Sequence, residues 1–148
     1  MSLASELDLI RRLPMFSSFG PAQQKLLCFS SERLTFGAGE LLFREGDNPD
    51  AAYVLIEGTV DISVATPGGE LVINVLGPDE LVGETGIFGE VPRTATATAR
   101  TRVEALRVSR DLFCELVRDN AEAALQLNRL LARRLANTTA KLGAAAAA

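Results

Sequence analysis

The feature that most narrows the fold of this chain is its punctuation. Between residues 33 and 108, Gly37, Gly39, Gly46, Pro49, Gly58, Pro67, Gly68, Gly69, Gly77 and Pro78 break the sequence at short intervals. The runs between them are brief and rich in β-branched or large apolar residues, the pattern of short strands. Tyr53 to Ile56, Glu57-Gly58 and Thr59 to Val64 read as a hairpin, and Pro67-Gly68-Gly69 as a further turn leading into Leu71 to Leu76. Thr94 to Ala99 and Val103 to Val108 read as two more strands. In the last, Val103, Ala105 and Arg107 share one face and Leu106 and Val108 the other. Many short strands at regular turn spacing predict a barrel or a sandwich.

The flanks have a different period. From Ser5 to Leu13, Leu9, Ile10 and Leu13 fall at helical spacing, and Pro14 ends the segment. Gly20-Pro21 opens a second helix carrying Leu26, Leu27 and Phe29. After the strands, Asp111 lies near the start of a short helix with Leu112, Phe113, Leu116 and Val117. Asp119-Asn120 then caps a long helix. Along it Ala124, Leu127, Leu131, Leu135, Thr138 and Leu142 form one stripe, which Ala123 and Leu130 widen. So broad a stripe implies either two surfaces to cover, the chain's own barrel and a second subunit, or one wide core-facing contact. The predicted fold is therefore α+β, mainly β: helices at 1–30, a roll of strands at 33–108, helices at 110–142. Together they form one domain over 1–142, followed by an alanine-rich tail at 143–148 from which no function follows.

Composition removes several function classes. With 148 residues the chain suits one domain able to bury its own core. There is no histidine, which removes the commonest metal ligand and the usual general base. No carboxylate cluster or nucleophile pair stands in for it, so an enzyme is disfavoured and no metal or cofactor is expected. Aromatics make up 5% and the net charge is -4, a poor match to nucleic acid or an anionic membrane. No segment approaches the ~20 apolar residues of a membrane span. Cys28 and Cys114 lie in separate apolar segments, outside any metal-ligand spacing. They read as two buried thiols of a reducing cytoplasm.

One segment interrupts the strands: LVGETGIFGEVPRTATATAR, residues 81–100. Gly83 precedes Glu84, Gly86 allows close backbone approach, and Glu84 to Phe88 fit a helix too short to stand alone. Its N-terminus would favour an anion. Arg93 offers a planar fork of donors suited to a phosphate diester. Thr94 adds a hydroxyl and Ala95 an amide. Ionised Glu84 accepts hydrogen bonds, as from a sugar hydroxyl, and its charge would hold Arg93 in place. Singly, each is an ordinary surface residue; the combination in one loop reads as a site.

This segment resembles the phosphate-binding cassette of the cyclic-nucleotide-binding domain family, in particular that of the bacterial catabolite activator type. Gly83-Glu84 and Pro92-Arg93-Thr94-Ala95 fall at the family spacing. LLFREGDNPDAAYVLIEGTVDIS resembles its glycine-centred strand signature, with glycines 39, 46, 58, 77 and 83 at the corners. The resemblance, which spans residues 36 to 138, implies an antiparallel β-roll of jelly-roll type. It implies that Gly83 and Glu84 bind ribose and that Arg93, Thr94 and Ala95 bind the cyclic phosphate. Ile73, Val75, Val82 and Gly86 would wall the pocket. ARRLANTTAKL is similar to the family's dimer helix, which puts Thr138 and Thr139 at the base, one from each subunit of a homodimer. The implied ligand is cyclic AMP, with cyclic GMP left open by Thr94. Such regulators continue into a DNA-reading domain; DNA binding is not implied for these residues. A ligand-free dimerisation or docking module of the same fold is the alternative.

Overall fold

The computed structural model describes residues 3–12 and 14–147. Helices α1 (Leu3–Arg12), α2 (Pro14–Ser17) and α3 (Pro21–Ser30) come first. Leu9 and Ile10 are buried as their spacing predicts, while Leu13 lies outside the described residues. Pro14 does not simply end the segment. It opens the short turn α2, whose Phe16 is fully buried. Gly20 caps α3 with Pro21 at the first helical position. The helix buries Leu27 and Cys28 but leaves Phe29 74% exposed.

Eight strands follow: β1 (Glu32–Phe36), β2 (Leu41–Phe43), β3 (Ala51–Glu57), β4 (Val60–Thr66), β5 (Gly69–Leu76), β6 (Leu81–Val82), β7 (Thr96–Ala99) and β8 (Val103–Ser109). They form two antiparallel four-stranded sheets, β1-β8-β3-β6 and β2-β7-β4-β5. The hairpin expected around Glu57-Gly58 is not one. β3 pairs with β8 and β6, whereas β4 pairs with β5 and β7. Gly58 is a corner at which the chain leaves one sheet for the other. A turn signal marks a change of direction and says nothing of the next strand's partner. The Pro67-Gly68-Gly69 turn does close a hairpin, with Thr66 opposite Gly69.

Two cores result. Leu55, Val60, Val82, Val103 and Ala105 fill the space between the sheets. Leu106 and Val108, on the other face of β8, join Ile10, Phe16, Phe113 and Leu127 under the helices. The alternation read from the sequence of β8 thus separates the two cores. Helix α4 (Glu84–Gly89) interrupts the strands, and α5 (Arg110–Arg118) and α6 (Ala121–Ala147) complete the chain. The Ser109 hydroxyl caps α5, and Asn120 caps α6 by accepting from the Ala123 amide at 2.9 Å. Asn120 also donates to the Ser18 carbonyl, tying α6 to the N-terminal helices.

Along α6 the stripe divides. Ala123 and Leu127 are buried and Leu130 and Leu131 pack against the helical core, but Ala124 is exposed. Further on, Leu135 is 68% and Leu142 42% exposed. Cys28 is buried; Cys114 is only half-buried, and burial raises its thiol pKa. Among the described residues no helix is long and apolar enough to cross a membrane, and no cluster of ligating side chains could hold a metal ion.

Candidate functional site

The site forms where the roll is interrupted. Gly83 ends β6 and caps α4 with a φ of 90°, in the left-handed region that a side chain disfavours. Space forbids a side chain as well: a Cβ there would lie 2.5 Å from Arg93 Nη1 and 3.1 Å from the Phe43 ring. The chain can therefore bring Glu84 and Arg93 to one cavity only if residue 83 is glycine. Gly86 is tightly placed too, but against Pro49 and the Val91 carbonyl, so its smallness serves the packing of α4 as much as access.

Arg93 is 3% exposed. Its Nη1 donates to the Gly83 carbonyl at 2.8 Å and its Nη2 to the Ala51 carbonyl at 2.6 Å. The guanidinium carbon sits 4.0 Å from the centroid of the Phe43 ring, a cation–π contact. Asp50 Oδ1 lies 3.6 Å from Nη2, but its side chain is 61% exposed, so the pair is well screened. Burial pulls the Arg93 pKa down, and Tyr53, Asp50, Asp47 and Glu84 push it back. The Nε–H is buried without a hydrogen-bond partner. A buried cation with an unused donor is costly unless an acceptor arrives.

Glu84 does not hold Arg93, as its charge suggested. The Glu84 side chain is 1% exposed, and its carboxylate accepts a hydrogen bond from Nη1 of Arg134 on α6. Arg93 is held instead by two backbone carbonyls. The Glu84–Arg134 pair joins the interrupted loop directly to the long helix.

These residues line a cavity of about 640 Å³ between α4, strands β4 and β5, and α6. That size lies within the usual range for a small-molecule site. Gly83, Glu84, Gly86, Arg93, Thr94, Ala95, Val82, Ile73 and Thr138 all reach it. Thr94 is exposed and Ala95 buried; both precede β7, which starts at Thr96 and not at Thr94. Two expected residues do not reach the cavity. Thr139 is exposed on the outer side of α6. Val75 is 47% exposed and outside the cavity, because a bulge between Ile62 and Ser63 leaves Ile73 unpaired and changes the faces of β5. Val60 then pairs with Leu76 and Ile62 with Asn74, while Asp61 pairs with Val75 on the opposite face.

Sequence reasoning missed Phe43, Asn74 and Arg134. Arg134 had a signal: it stands four residues before Thr138, hence on the same face of α6. Phe43 had none that separated it from an ordinary strand residue.

Residues 33–120 match the cyclic nucleotide-binding domain family. A CRP-like cAMP-activated global transcriptional regulator of Mycobacterium tuberculosis is 34% identical over 136 residues, 91% of this chain and 61% of that protein. Among solved structures, the sensor domain of the transcriptional regulator DNR from Pseudomonas aeruginosa superposes with a TM-score of 0.80 at 30% identity, covering 90% of both chains. The catabolite activator protein of Thermus thermophilus gives 0.73 at 31% identity, over 90% of this chain and 63% of that one. The chain thus spans about three-fifths of the length of the full-length regulators it matches. Together with the antiparallel roll and its interrupting loop, these matches show that the chain belongs to the cyclic nucleotide-binding domain family.

Proposed function

We propose that residues 1–142 act as one sensor domain for cyclic AMP, with 143–148 a tail outside it. The observation that carries this reading is the buried guanidinium of Arg93, a residue that lines a cavity of nucleotide size and whose Nε–H has no hydrogen-bond partner. A cyclic phosphate supplies the missing acceptor and a full negative charge. Thr94 and the Ala95 amide complete its contacts, and the Phe43 ring keeps the guanidinium flat from behind. Gly83 and Glu84 take the ribose. Glu84 can accept from the sugar hydroxyl as well as from Arg134, since an ionised carboxylate has several lone pairs. Ile73, Val82 and Gly86 wall the pocket, and Thr138 faces the base. The similarity to a cAMP-activated regulator of Mycobacterium tuberculosis supports this ligand.

The Glu84–Arg134 link gives the ligand a handle on α6, so sugar binding at Glu84 biases the helix's position. Leu125, Asn128, Ala132, Leu135, Thr139 and Leu142 recur along α6 at alternating spacings of three and four, all exposed, with Leu135 and Leu142 also bordering the cavity. That is the seam of a two-stranded coiled coil. A second copy of the chain covering it forms a homodimer and accounts for Thr139, which then meets the partner's pocket. Such a sensor would regulate whatever domain or partner α6 leads to.

Titration calorimetry on ligand-stripped protein tests the reading. Cyclic AMP should give saturable heat, and Arg93→Ala should weaken binding at least 100-fold, since about 3 kcal/mol rests on charge-assisted phosphate contacts. No heat with either cyclic AMP or cyclic GMP overturns it in favour of a ligand-free dimerisation module.

A further inference from the structure

With the phosphate at Arg93 and the sugar at Glu84, the base fills the rest of the cavity, between β4, β5 and α6. That part is walled by apolar side chains such as Ile62, Ile73 and Leu131. Away from residues 83–95, the polar side chains that line it are Asn74, Arg134 and Thr138. Arg134 is engaged by Glu84. Asn74 is half-buried, and its amide has no hydrogen-bond partner among the described residues. It faces the cavity because it is paired with Ile62, and directly opposed residues of an antiparallel pair share a face. It also borders two adjoining cavities of about 380 and 520 Å³, each lined in part by residues of α6, so it stands where the main cavity meets that helix.

On the sensor reading above, we infer that Asn74 selects adenine over guanine in the bound nucleotide. A carboxamide presents one acceptor and one donor side by side. Adenine presents the complement on its outer edge, a 6-amino donor beside the N7 acceptor. Guanine presents two acceptors there, O6 and N7, so one amide serves only one of them and sets its own oxygen against the other. The Thr138 hydroxyl can donate or accept and fits either base. Asn74 is thus the group whose chemistry tells the purines apart.

The test uses ligand-stripped chain, with cyclic AMP, cyclic GMP and the cyclic purine ribonucleotide lacking the 6-amino group as probes. The unsubstituted chain should bind cyclic AMP roughly tenfold tighter than either other nucleotide. In Asn74→Ala, cyclic AMP should weaken to about the level of the other two, whose affinities stay within about twofold of their original values. Asn74→Thr, which keeps strand propensity, should behave alike should the alanine variant fold poorly. Thermal melts monitored by circular dichroism identify the folded variants. A folded variant that keeps the adenine preference overturns the inference, as does equal loss of both purines. Unsubstituted chain that binds both purines equally, with Arg93→Ala abolishing both, overturns the role of Asn74 and leaves the sensor reading standing. Unsubstituted chain that binds neither overturns both.

Discussion

Two corners of the roll use the same backbone for different ends. Gly58, where the chain crosses from β3 to β4, has a φ of 92°, and Gly83, where β6 gives way to α4, has a φ of 90°. Sequence treats them alike. The neighbours that forbid a side chain do not. A Cβ on Gly58 would meet backbone only: the Arg102 carbonyl oxygen at 2.1 Å and the Val103 Cα at 2.9 Å. A Cβ on Gly83 would meet the side chains of Arg93 and Phe43. One glycine serves the closure of two sheets; the other lets a buried arginine reach a cavity. The glycine that touches the chemistry is thus identified by what surrounds it, not by its dihedral angles.

Gly58→Ala gives the largest expected effect. The left-handed conformation alone costs alanine roughly 1–2 kcal/mol. The backbone clash adds to that, because no rotamer can move Arg102 and Val103 aside. Destabilisation above about 3 kcal/mol is expected, lowering the melting temperature by at least about 8 °C. A calorimetric scan checks it. A near-normal melting temperature would show that the 57–59 and 100–102 loops separate easily, and would break the contrast with Gly83.

Gly83→Ala should cost less stability and more function. The dihedral penalty is about the same, but a side chain can shift where a backbone cannot, so the melting temperature should fall by roughly 3–6 °C. The shift would displace Arg93 from the Gly83 carbonyl, and cyclic AMP affinity should drop at least tenfold. A variant that melts low yet binds normally would mean that Arg93 does not need this position.

The same contrast explains what could be read from the sequence. Gly83, Glu84, Arg93, Thr94 and Ala95 lie within one short segment, so spacing along the chain reports their proximity. Leu106 and Val108 were separable from Val103 and Ala105 because a strand alternates faces locally. Phe43, Asn74 and Arg134 reach the cavity from three other elements, and only sheet pairing and helix docking bring them there. Val75 was misplaced by a single bulge, since one extra residue reverses the facing of everything beyond it. The false hairpin at Gly58 has the same origin: a corner and a hairpin share local chemistry and differ only in distant partners. Thr138 and Thr139 are adjacent, yet a helix turns about 100° between them, so one faces the cavity and the other the open side.

The smallest predicted effect has the opposite sign and comes from the far end of α4. Glu90 caps that helix with a φ of 52°, its amide directed at the Gly86 and Ile87 carbonyls. It is one of two non-glycine residues with positive φ among those described, the other being Asp79. Asp79 also pairs with Arg12 at 3.1 Å, whereas the exposed Glu90 side chain makes no ion pair among the described residues. Glycine suits this cap position, so Glu90→Gly removes a penalty of about 1 kcal/mol. Glycine also gains freedom in the unfolded chain, which returns roughly 0.5 kcal/mol of it. The net gain should raise the melting temperature by about 1–2 °C and leave cyclic AMP affinity unchanged. A fall in the melting temperature would show that Glu90 contributes a contact worth more than its backbone strain. A loss of affinity would extend the demand for a fixed loop from Gly83 across the whole of α4, so that the site would depend on both ends of that helix and not on its first glycine alone.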